Sequence, residues 1–112
     1  MGKDKAELLQ GTLDLLVLKT VETMGPLHGW AIAKRIEQVA QDLLELKYGT
    51  LYPALMRLEQ NGWISSEWGT SENNRRARFY SITKQGRKQL TREAENWEQM
   101  AAFITRVLGS NR

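Results

Sequence analysis

Apolar residues recur along the first third of the chain at helical rather than strand spacing. Between residues 8 and 24, Leu13, Leu16, Val17, Val21 and Met24 fall on one helical face, Leu9 lies just upstream, and Leu8, Leu15 and Leu18 occupy a neighbouring face. A helix apolar on more than one side must be covered from two directions, which three short helices do not readily supply, so a partner subunit is already implied. Gly25-Pro26 ends this helix, because glycine suits the position after a helix C-terminus and proline cannot continue it. A second helix is predicted over residues 28–40, with Ala31, Ile32, Ala33, Ile36, Val39 and Ala40 inward and Lys34, Arg35, Glu37 and Gln38 outward. A third spans residues 49–60, with Leu51, Leu55 and Leu58 as its buried stripe and Pro53, Met56, Arg57 and Gln60 on the opposite face, flanked by Thr50 and Tyr52. Pro53 is compatible with it because the first turn has no intrahelical N–H bond to lose.

Beyond Asn61-Gly62 the composition turns to strand formers. The runs Trp63-Ile64-Ser65-Ser66-Glu67-Trp68 and Arg78-Phe79-Tyr80-Ser81-Ile82, joined by a polar connection over residues 69–75, predict a β-hairpin with a basic tip. Thr83 then caps a final helix reaching residue 108, in which Leu90, Ala94, Trp97, Ala101, Ile104 and Leu108 recur at spacings of four, three, four, three and four. Such a seam belongs to a helix lying lengthwise on another helix, and in a chain this short a homodimer supplies the second one.

With 112 residues, 41% of them hydrophobic and 26% charged, the chain has room for one modest core, and its fold class is mainly α with a small β-hairpin (α+β). The order of helix, helix, helix, hairpin and long helix is that of a winged helix-turn-helix followed by a dimerisation helix. The expected division is a winged-helix DNA-binding domain over residues 1–83 and a C-terminal dimerisation helix over residues 84–112, one continuous structural unit. No apolar run is long enough for a membrane span and the first residues do not lead into a signal-peptide core, so a cytoplasmic location is expected. The absence of cysteine and the single His28 argue against a metal site, and no cofactor is expected.

Net charge is +3, but its distribution is uneven: residues 47–92 carry nine basic and three acidic side chains, while the remainder is net acidic. A positive middle segment is either a nucleic-acid surface or a solvated basic face. No nucleophile–base arrangement and no phosphate-cradling glycine loop is present, so no enzymatic activity is expected.

Several stretches resemble one family closely. They are Gly11-Thr12-Leu13-Asp14-Leu15-Leu16, Gly25-Pro26-Leu27-His28-Gly29-Trp30, Gly49-Thr50-Leu51-Tyr52-Pro53-Ala54-Leu55 with Arg57-Leu58-Glu59, Gly62-Trp63-Ile64, Asn73-Asn74-Arg75-Arg76-Ala77-Arg78-Phe79-Tyr80, and Ile82-Thr83-Lys84-Gln85-Gly86. Together they resemble the PadR-type transcriptional regulators, in particular the short subfamily with a single C-terminal helix, although that family often has Tyr where this chain has Trp30. The Leu51-Tyr52-Pro53-Ala54-Leu55 run is the most specific part, whereas Thr83 followed by Gly86 recurs in other winged-helix regulators.

The residues themselves point to double-stranded DNA. A helix fits the major groove, with its N-terminal half at the base edges and its N-terminus and nearby hydroxyls at phosphate. Thr50, Tyr52, Pro53 and Arg57 lie in that half; Arg57 suits guanine and Pro53 a thymine methyl. Thr50 is alternatively an N-cap, and Tyr52 alternatively packs against the second helix. Arg75, Arg76 and Arg78 form a basic wing suited to phosphates or a narrow minor groove, or else a solvated turn. Lys34 and His28, on and at the start of the second helix, are further candidate phosphate contacts.

Trp97 in the final helix is either part of the dimer core or the wall of an effector pocket. The resemblance implies the second: family members hold flat aromatic ligands between the C-terminal and first helices, which makes Leu15, Trp97, Met100 and Ala101 candidates for binding a small aromatic effector. It also implies repression rather than activation. A homodimer with two third helices in successive major grooves calls for a near-palindromic operator with half-sites about 10 bp apart. The alternative reading is a winged-helix module that binds protein or RNA.

Overall fold

The computed structural model describes residues 10–109. In chain order the elements are α1 (Gln10–Met24), β1 (Leu27–His28), α2 (Gly29–Ala40), a short 3-10 turn (Gln41–Leu43), α3 (Tyr48–Gln60), β2 (Ile64–Thr70), β3 (Arg76–Ile82) and α4 (Lys84–Val107). The fold is a winged helix: three helices, a hairpin wing and a long fourth helix.

One core holds it together, drawn from all four helices and from β2 and β3. Leu13, Val17, Leu18 and Val21 of α1 meet Ile32, Ala33 and Ile36 of α2 and Leu51, Ala54, Leu55 and Leu58 of α3, with Ile64, Tyr80 and Leu90 closing the sheet side. Leu44 and Leu46 are also buried, and the backbone N–H of Leu46 donates to Glu37 Oε2 at 2.7 Å, which pins the segment before α3 to α2. After α3 the chain reverses at Gly62, whose φ of +78° is strained for any residue with a Cβ.

The sheet has an additional strand. Besides the antiparallel β2–β3 hairpin, β1 pairs with β3 through Leu27 opposite Tyr80 and His28 opposite Phe79, giving the order β1-β3-β2. Two residues cannot show a strand periodicity, which is why this segment reads from sequence as a simple turn into α2. The hairpin strands extend beyond their predicted apolar runs, to Thr70 and from Arg76, because the turn closes tightly over residues 71–75: Ser71 N–H donates to the Arg75 carbonyl and Asn74 N–H to the Ser71 carbonyl, both at 2.8 Å.

The helix assignments need four adjustments. Leu8 and Leu9 lie outside the described residues. Met24 and Val39, expected inward, are 47% and 67% exposed and instead line an apolar recess of about 290 Å³ between α1 and α2. Helix α3 begins one residue early, at Tyr48, with Lys47 as its N-cap, so Thr50 sits inside the first turn and is not the capping residue, and Pro53 lies beyond the first turn, inside the helix, where it leaves the Gly49 carbonyl without its i+4 donor. The predicted seam of α4 is divided: Leu90 is buried, Ala94 and Ala101 are half-buried, and Trp97, Ile104 and Leu108 are exposed.

The junction of wing and α4 explains the Thr83–Gly86 spacing. Thr83 caps α4 by accepting from the Gly86 N–H at 3.0 Å, donates its own hydroxyl to the Gly62 carbonyl at 2.6 Å, and its backbone N–H reaches the Trp63 carbonyl. Gly86 then packs so closely that a Cβ there would lie 2.0 Å from the Trp63 oxygen. Gly86→Ala is therefore expected to destabilise the protein by at least about 2 kcal/mol in urea denaturation, whereas Gly11→Ala, with nothing within 4 Å of its would-be Cβ, is expected to be neutral or stabilising. Equal midpoints for the two variants would contradict this packing.

Candidate nucleic-acid interface

The face of α3 that points outward is dictated by the face that is buried. With Leu51, Ala54, Leu55 and Leu58 at 0–1% exposure, the helical repeat sends Thr50, Tyr52, Pro53 and Met56 to solvent. Lys47 makes no side-chain hydrogen bond as the N-cap, and its carbonyl accepts from the Thr50 and Leu51 N–H groups, so it is the Tyr48 and Gly49 amides at the N-terminus of α3 that suit an anion.

The hairpin contributes a second surface beside this helix. Its register places Ile64 opposite Ile82, Ser66 opposite Tyr80, Trp68 opposite Arg78 and Thr70 opposite Arg76, all on one face. At the base that face is buried through Ile64 and Tyr80; toward the tip it carries Trp68 with two guanidinium groups over its ring, Arg76 at 4.8 Å and Arg78 at 5.1 Å from the centroid. Between the tip and the N-terminal ends of α2 and α3 lies a concavity of about 500 Å³, walled by Trp30, Tyr48, Tyr52, Trp68, Arg76 and Arg78.

The aromatic walls are ordered by contacts behind them. The Tyr48 and Tyr52 rings lie 5.4 Å apart, and an edge of Tyr48 rests on α2, where a Cβ at Gly29 would come within 3.1 Å of its Cε1. Desolvation of this edge, reinforced by neighbouring Tyr52, raises the Tyr48 phenol above its ordinary value. His28 caps α2, its Nδ1 accepting from the Ala31 N–H at 3.3 Å, while its ring meets Phe79 edge-on at 5.4 Å. Lys34 reaches over Trp30, with Nζ 5.4 Å from the ring centroid and 3.9 Å from Glu37.

The predicted cationic residues separate into two groups. Arg57 does not stand free on the α3 surface: its guanidinium donates to Asp14 of α1, itself 9% exposed, so the residue expected to read a base is engaged in holding α1 against α3. Arg78 is also engaged. Its Nε donates to Ser66 Oγ at 3.1 Å, Ser66 Oγ donates to Glu59 Oε2 at 2.7 Å, and Arg78 Nη2 lies 3.8 Å from that same carboxylate oxygen, joining α3 to both hairpin strands. Arg75 and Arg76 are exposed, and among the described residues neither meets a carboxylate.

This combination of an outward helix, an adjoining arginine wing and a long fourth helix coincides with a known family. The model of the transcriptional regulator PadR-like family matches residues 17–92. The chain belongs to the PadR-like family of transcriptional regulators. Its structure is similar to that of a transcriptional regulator from Clostridium thermocellum, at 34% identity and a TM-score of 0.77, covering 87% of this chain and 93% of the other. A PadR family regulator from Clostridium difficile R20291 matches at 29% identity and a TM-score of 0.73, over 87% of this chain and 98% of that one. One from Eggerthella lenta matches at 27% identity and a TM-score of 0.76, over 89% and 84% respectively.

In this PadR-like chain the candidate effector residues lie on two helices. Leu15 of α1 is partly buried against the core, Trp97 and Met100 of α4 are about half exposed, and Ala101 is half-buried. Asp14, Glu59, Ser66 and Trp68 escaped the sequence reading. An acid within the apolar run of α1 signals a buried partner, and counting the hairpin register places Trp68 opposite Arg78; Glu59 and Ser66 carry no comparable local signal. The Asp14–Arg57 pair is half-buried, so removing either partner leaves a charge without its counterpart. Asp14→Ala and Arg57→Ala are each expected to lower stability by about 2 kcal/mol, with the double variant little worse than either single one. Strictly additive losses in urea denaturation would contradict the pairing.

Proposed function

We propose that the protein is a homodimeric, sequence-specific repressor that binds double-stranded DNA through the N-terminal half of α3 and the tip of the wing. The observation that carries the reading is that Tyr52 of α3 and Arg76 of the wing wall one concavity, with Thr50, Pro53 and Arg75, their neighbours in the chain, exposed. The Thr50 hydroxyl and the Tyr48 and Gly49 amides suit phosphate, Tyr52 and Pro53 suit base edges and thymine methyls, and the two arginines suit the flanking backbone or minor groove. His28 and Lys34 are candidate flanking phosphate contacts, while Arg57 and Arg78 act chiefly by orienting α3 and the wing.

Dimerisation through residues 84–112 is supported by the distal half of α4. Trp97, Met100, Phe103, Ile104, Val107 and Leu108 are between 43% and 79% exposed, an apolar surface of the sort that marks an interface. Residues 1–83 then serve as the DNA-binding domain, and the two copies of α3 lie about one DNA turn apart. Release by a flat aromatic effector held near Leu15, Trp97, Met100 and Ala101 rests on the family resemblance, as does repression; a DNA-binding regulator of this type works in the cytoplasm.

Selection of a random duplex pool by the purified protein at moderate salt is expected to enrich a near-palindrome with half-sites about 10 bp apart. Failure to enrich any motif would count against sequence-specific DNA binding and favour a protein or RNA partner. Arg75→Ala is expected to weaken binding to all duplexes alike and to make the slope of log K against log salt shallower by about 0.9, the contribution of one phosphate. Ile104→Glu is expected to give monomers by light scattering, and an unchanged dimer mass would refute the α4 interface.

A further inference from the structure

Trp68 is a large apolar side chain, 55% exposed, near the tip of a strand and with no part in the core. What it touches suggests its role. The Arg78 guanidinium lies 5.1 Å from its ring centroid and the Arg76 guanidinium 4.8 Å, so one indole is a platform for two cations. The two arginines differ in every other respect. Arg78, bound to Ser66 and close to Glu59, is tied through them to the end of α3. Arg76, two residues nearer the tip, has no carboxylate partner among the described residues.

We infer that Trp68 is a positioning residue for DNA binding, holding the Arg76 guanidinium at a fixed distance and angle from α3 so that it meets the DNA backbone without first losing its rotamer freedom. The inference rests on the reading of α3 and the wing as the DNA surface. The order of support runs from the recognition helix outward: Glu59 fixes Ser66 and Arg78, Arg78 and the hairpin register fix the indole, and the indole fixes Arg76. A free arginine has several rotatable bonds to immobilise on meeting a phosphate, and stacking on an indole removes part of that cost beforehand. Because the ring face is sequence-blind, the benefit falls on backbone affinity and not on the choice of bases.

The test is a double-mutant cycle on Trp68→Ala and Arg76→Ala, read as affinity for a random-sequence duplex across a salt series, with Trp68→Phe as a conservative variant. Trp68→Ala is expected to weaken binding about fivefold, Trp68→Phe to recover most of that loss, and the double variant to bind no more weakly than Arg76→Ala alone. Since Trp68 lies outside the core, thermal unfolding of all variants is expected to match the parent, and a fold damaged by Trp68→Ala but not by Trp68→Phe would overturn a positioning role. An unchanged affinity for Trp68→Ala would overturn the inference, and so would losses that multiply in the double variant, which would mean that the indole meets DNA on its own account. Those results leave duplex binding intact; if the parent protein itself fails to bind duplex DNA in a salt-dependent way, the reading of the DNA surface falls and this inference with it.

Discussion

Burial of a single stripe along α3 determines how the rest of the molecule is used. Leu51, Ala54, Leu55 and Leu58 are sealed between α1, α2 and the sheet, and a helix that commits four residues in two turns has no freedom left to rotate. Rotating it by one residue, about 100°, would bring Tyr52, Met56 and the Glu59 carboxylate into the core and expel Leu51 and Leu58, at roughly 2 kcal/mol for each large apolar side chain exposed. The presentation of Thr50, Tyr52 and Pro53 is thus a by-product of core packing, and their chemistry is free to serve a partner.

Packing fixes the helix, but the wing needs its own restraint, because a two-stranded ribbon is marginal without something to lean on. Two kinds of contact supply it. β1 adds two residues to the far side of β3, so that Phe79 and Tyr80 are held between neighbours, and the Glu59–Ser66–Arg78 group joins α3 to the ribbon. An exposed ion pair at 3.8 Å stabilises the fold by less than about 1 kcal/mol, so this group matters for direction more than for stability. The half-buried Asp14–Arg57 pair carries more weight. Four arginines that look alike in the sequence therefore do different work, and what separates them is the position of three residues, Asp14, Glu59 and Ser66, contributed by other elements.

That contrast explains what was legible from the sequence. Helical periodicity identifies α1, α2, α3 and α4 because each has an apolar stripe several turns long, and strand-forming runs around a polar turn identify the hairpin. The outward position of Tyr52 and Pro53 follows from the same periodicity. Interactions across long sequence separation leave no such trace. Asp14 and Arg57 are 43 residues apart, and β1 is recognised only by the partner strand, 51 and 53 residues later at its two paired positions, that supplies its hydrogen bonds. Val39 shows a different failure: its spacing matches the inward face of α2, but it lies at the edge of that face on the open recess between α1 and α2, and is exposed although Ile36 before it is buried and Ala40 after it packs partly against the core. In α4 the seam was visible while its buried fraction was not, since only Leu90 lies over the core and the remainder projects past it.

The outward face of α3 and the wing tip are proposed to form one DNA-binding surface, opposed in role to the apolar distal half of α4. Amide chemical shifts of the isotope-labelled protein, followed during titration with a duplex DNA, test this residue by residue. The largest changes are expected at residues 48–52 and 71–78, with residues 97–107 of α4 little affected. Changes concentrated on α4, or on the recess between α1 and α2, with α3 and the wing silent, would contradict it.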